Sequence, residues 1–163
     1  MSSHTKNFII ALGVTVIWFF IMRPFTPPNI VAFELAGSVE AASKIISDWG
    51  IDQVSRVKTA IYLDFVFILV YCSAFIFACR AASTYSGIEF FIKISQQLVW
   101  IVWLAGLCDA IENIALLRTL SEISQTSVSL AFYGAAIKFS ILLLALVFIQ
   151  ICLAAGVFRK LRT

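Results

Sequence analysis

The segment GLCDAIENIALLR, residues 106–118, sets two carboxylic acids and an amide in an otherwise apolar run. Asp109, Glu112 and Asn113 are related by steps of three and four, so in a helix they share one face. Another acid, Asp64, interrupts a second apolar run, and Tyr71 lies two turns further along the same helical face. Carboxyls in such surroundings can hold a proton or a cation, or accept hydrogen bonds from the polar end of a ligand. They can also pair with a base, and Lys138 and Arg118 are the cations spaced to do so. Glu34 adds a further acid, in the connection between the first two apolar runs. A charged carboxylate near the centre of a membrane helix costs about 2.5–3.5 kcal/mol. Several of them must therefore face inward, where they can be protonated, paired or hydrated.

The elements that carry these residues follow from hydropathy. The chain of 163 residues is 61% hydrophobic and 13% charged, too few polar groups to cover a water-facing surface of ordinary composition. Its mean hydropathy is +0.99, and the apolar residues fall in blocks. An uncharged stretch of 16 residues between Lys6 and Arg23 comes close to the ~17–25 needed to cross a hydrocarbon core, and one of 20 between Lys138 and Arg159 falls within it. Between Lys58 and Arg80 only Asp64 breaks the run, and between Lys93 and Arg118 only Asp109 and Glu112 do. The expected fold is an all-α membrane protein, a single domain over residues 1–163 with spans at about 7–23, 58–80, 95–117 and 137–158. The MRPFTPPN that follows the first run offers no small-residue cleavage site, so that run reads as a retained span rather than a removed signal.

Between spans 1 and 2, an amphipathic interfacial helix is expected over about 30–49, with Asn29 as its N-cap and Gly50 as its stop. Val31, Leu35, Val39, Ala42, Ile46 and Trp49 form its apolar stripe, suited to lie on the membrane or to cap the bundle. Arg159, Lys160 and Arg162 after span 4 place both termini on the cytoplasmic side, and the connections 24–57 and 119–136 outside. In that arrangement Asp109 lies roughly 4 Å, Asp64 roughly 7 Å and Glu112 roughly 8 Å outward of the midplane. The acids then converge in the outer half of the bundle, with Lys138 and Arg118 above them.

Two readings of this convergence compete. One is a buried network in which Asp64 and Glu112 pair with Lys138 and Arg118 and Asn113 bridges, fixing helix register. The other is a site for a proton, a cation or the polar head of a ligand, built from Asp64, Asp109, Glu112, Asn113, Glu34 and Tyr71. The four cysteines lie in apolar runs without C-x-x-C spacing and read as small hydrophobes, and no metal-site spacing is present. No nucleotide-binding loop or nucleophile elbow occurs, nothing names a cofactor, and the scattered basic residues exclude nucleic acid as a partner.

Four spans with inward acids resemble, in layout, the sterol-isomerase and sigma-2-receptor family, which would imply an enzyme or receptor for an apolar small molecule. This chain has no acid in its first span and no histidine in any span, so no residue roles carry over. The expected object is a small multi-pass integral membrane protein whose partners are the lipid bilayer and, beyond it, other membrane subunits or a hydrophobic ligand. Its expected work is that of a non-enzymatic accessory or assembly subunit or a binding module. The alternatives are an intramembrane acid–base enzyme or receptor, and a proton- or cation-coupled transporter.

Overall fold

The structure is a computed structural model describing residues 2–162. It is all-helical, with four helices long and apolar enough to cross a membrane. Helix α1 spans Ser3–Met22, α2 is the single turn Ile30–Glu34, α3 spans Val39–Ser86, α4 Glu89–Thr119 and α5 Gln125–Leu161. Serine hydroxyls cap three of them: Ser2 accepts from the Thr5 amide, Ser38 from Ala41 and Ser124 from Ser127. Helices α3, α4 and α5 run past both limits expected from hydropathy alone, and α1 starts earlier but ends at Met22, within its expected span. Polar flanking residues continue a hydrogen-bond ladder already nucleated by the apolar segment.

The expected helix over 30–49 is two pieces. Gly37 takes a left-handed φ of 67°, and Ser38 then starts α3 afresh, so the chain turns between Glu34 and Val39. Asn29 makes no capping bond; its Oδ1 accepts instead from Trp49 Nε1 at 2.7 Å. Gly50 breaks α3 as expected, with φ 69° and ψ 173°, and redirects the chain into the bundle. The apolar stripe holds only in its second half. Val31 and Leu35 are exposed, and Phe33 is the residue of α2 that enters the core, meeting Trp49 edge to face. With Ala42, Ile45 and Ile46 these side chains cover one end of the bundle.

Helices α3, α4 and α5 pack on one another, and α1 lies against α3. Among the described residues of α1 only Met22 is buried, while Ile9, Ile10, Ile17, Phe19 and Phe20 face outward, as on a helix surrounded by lipid. Two apolar clusters fill the interior. One, at the capped end, joins Phe33, Val57, Ile61, Leu116 and Val128. The other joins Ile68, Cys72, Ile76, Val102 and Ala145. Small residues bring the helices close between them. A methyl group on Gly106 would meet Cys72 Sγ at 2.8 Å, and one on Gly134 would meet Glu112 Cβ at 2.9 Å. That proximity positions the charged layer.

Candidate functional site

Lys138 sits one turn beyond Gly134 on α5, and the close α4–α5 contact delivers its ammonium into the acidic face of α4. Its Nζ donates to Asp109 Oδ1 at 2.7 Å and lies 2.8 Å from Glu112 Oε2 and 3.7 Å from Glu34 Oε2. The Asp109 contact is an aligned hydrogen bond, whereas the Glu112 contact is an ion pair by distance alone. Tyr71 of α3 completes Asp109 from the other side, its hydroxyl donating to Oδ2 at 2.7 Å. The Lys138 side chain is 9% exposed, that of Asp109 4% and that of Glu112 not at all, so these charges interact in a low dielectric.

Asp64 is held separately. Asn113 Nδ2 donates to its Oδ2 at 2.7 Å, and Lys138 spends its contacts on the α4 acids and Glu34. The pairing anticipated between Asp64 and Lys138 is therefore not the one formed, and Asn113 orients Asp64 rather than bridging to Glu112. Arg118 stands apart from the cluster, exposed, beside a shallow hollow lined also by Glu122, Ser124 and Thr126. Helical rotation explains this: Asp109, Glu112 and Asn113 follow the buried face of α4, and Arg118 falls off it. Glu34 arrives from outside the spans, brought down by the turn at Gly37. Burial pushes its carboxyl above the ordinary range, against the pull of Lys138.

Beside this layer opens a cleft of about 360 Å³, the size of a small-molecule pocket. Phe19 and Met22 of α1, Ile61 and Phe67 of α3, Ile30 and Leu116 make its walls apolar. Its polar groups are Asp64, Asn113 and Glu34 on one side, with Arg23 and Thr26 among the residues where α1 ends. Pro27 and Pro28 close it between α1 and α2. These walls were missed in the sequence. The Arg-x-x-x-Pro-Pro stretch marked only a connection there, although a rigid segment leaving an apolar helix is a signal for a shaped edge.

The acids are spread around one lysine rather than around an open point, and no group of His, Cys, Asp and Glu among the described residues has metal-site geometry. The cysteines are free, with Cys72, Cys79 and Cys152 buried in the helix interfaces. What the arrangement offers chemically is acceptors: two carboxyls facing an apolar cleft, backed by a buried acid–lysine centre. No family model, no curated protein and no solved structure matches the chain, so the likeness of layout to the sterol-isomerase and sigma-2-receptor family carries no argument here.

Proposed function

We propose that this chain is an integral membrane protein, with both termini cytoplasmic, that works as a non-enzymatic binding module. It holds a small, largely apolar molecule in the cleft between α1, the 23–34 connection and α3–α4. The molecule's polar end carries hydrogen-bond donors and rests on Asp64 and Glu34. The observation that supports this reading is the cleft itself: apolar walls around a patch of acceptors, one of them oriented by Asn113. An apolar body gains from leaving water or from close packing, and a few placed polar groups set its orientation. Asp109, Lys138 and Tyr71 do not line the cleft, which suits a supporting role for them rather than contact with the ligand.

Native mass spectrometry of the protein extracted gently from its own membrane tests this. The expected spectrum shows one discrete small-molecule adduct that is lost in Asp64→Asn and in the cleft-filling Ala60→Leu. An adduct retained in both variants, or folded protein with none, overturns the reading. A stoichiometric partner protein on a chain without an adduct would replace it with an accessory subunit.

A further inference from the structure

Three carboxylate oxygens at the capped end of the bundle are buried without any hydrogen-bond donor: Glu34 Oε2 and both oxygens of Glu112. Lys138 cannot supply them all. Its aligned bond goes to Asp109, its 2.8 Å contact with Glu112 lacks hydrogen-bond alignment, and Glu34 is 3.7 Å away. Yet Glu34 and Glu112 turn their Oε2 atoms toward the same ammonium, 3.7 Å and 2.8 Å from Lys138 Nζ, which makes the two carboxyls neighbours. Two ionised carboxylates gathered on one ammonium offer each other no donor and repel, in a place where little water screens them. One proton reverses both effects, because it supplies the missing donor and turns the repulsion into a short, charge-assisted O–H···O⁻ bond.

We infer that Glu34 and Glu112 form a proton-binding site, in which one shared proton ties the 23–38 connection to α4. The surrounding charges divide: neighbouring acids favour the proton, and the Lys138 ammonium opposes it. Asp109 on α4 and Asp64 on α3 are further acids, Lys138 on α5 is the one buried cation among the described residues, and Arg23, at the end of α1, is exposed. Three acids on one buried ammonium leave an excess of negative charge, and a proton held between neighbouring carboxyls offsets it. Burial of Glu34 works in the same direction.

The proton also sets the charge of the cleft. Glu34 lines it, while Glu112 does not. With the proton in place Glu34 is held against α4, and Asp64 is the cleft's one unshared acid. Without it Glu34 is repelled by Glu112 and presents a second full negative charge to the cleft. The sign follows from linkage: the closed arrangement binds the proton more tightly than an open connection does. The contact is therefore strongest at low pH and weakens as pH rises through the pair's titration.

Infrared difference spectroscopy of the ligand-free protein in phosphatidylcholine vesicles, titrated with pH, reads this directly and independently of any cleft ligand. The expected result is a protonated-carboxyl C=O band at neutral pH, shifted in D₂O, that disappears on alkalinisation. The band should move on carbon-13 labelling of glutamate, vanish in both Glu34→Gln and Glu112→Gln, and persist in Asp64→Asn. Absence of the band in wild type, or a band insensitive to glutamate labelling, overturns the inference. The labelling arm uses unmutated protein and so stands even if a variant does not fold.

Discussion

The two ends of the bundle bury polar groups on opposite terms. Near the α3–α4 turn, Ser83, Ser86 and Ser95 are all buried, and every hydroxyl is satisfied within its own neighbourhood. Ser86 donates to the Ser83 carbonyl at 2.6 Å, Ser95 to Ile92 at 2.8 Å, and Ser83 and Ser95 meet across the helices at 3.0 Å. At the other end buried Asp109, Glu112 and Lys138 are joined by half-buried Asp64 and Glu34, drawn from α2, α3, α4 and α5, and three of the carboxylate oxygens have no donor. A serine on a helix can return its proton to a carbonyl three or four residues back, so burying it asks little of the rest of the fold. A carboxylate has no such local exit and persists in the interior only where several elements converge on it. An unequal polar burden of this kind separates packing from a site.

The contrast can be broken most forcefully at Lys138. Lys138→Met leaves buried Asp109 and Glu112 without their cation, and removing one partner of a buried ion pair costs about 3–5 kcal/mol. Thermal unfolding in detergent micelles should show the largest drop in Tm of any single substitution in the interior. A loss no greater than that of a serine variant would mean the acids are hydrated rather than buried. Tyr71→Phe should come next, since it takes away a hydrogen bond to a charged carboxylate, a loss of about 1.5–3 kcal/mol. The same unfolding assay checks it, and a change within error would show that Asp109 does not depend on α3. Ser95→Ala should be smallest, about 0.5–1 kcal/mol, because Ser83 keeps its bond to the Arg80 carbonyl. A Tm loss for Ser95→Ala that rivals Tyr71→Phe would erase the distinction between the two ends.

Much of the scaffold was legible in advance, and for a local reason. Hydropathy belongs to each residue, so runs such as 139–158 declare a spanning helix without knowledge of their neighbours. The shared face of Asp109, Glu112 and Asn113 was equally legible, because helical periodicity is a property of one segment. The connection after α1 was read less well. A continuous 30–49 helix overlooked that Gly37 followed by Ser38 is both a left-handed turn and a fresh N-cap, and that turn is what lowers Glu34 onto Lys138. Arg118 misled for the opposite reason: it has the right charge at the right depth but lies on the wrong side of α4.

By itself, then, the sequence determined that the chain is all-helical, that four of its segments are apolar enough to span, and that Asp109, Glu112 and Asn113 share one helix face. Those properties depend on composition and on a period of 3.6 residues, both local. Only the tertiary structure decided that Lys138 takes Asp109 and Glu112, that Asp64 is left to Asn113 and the cleft, and that Glu34 comes down to the same lysine. Partners across helices depend on how each helix is rotated and how closely it packs. Here that is settled by absent side chains at Gly106 and Gly134, whose effect appears only once the helices touch.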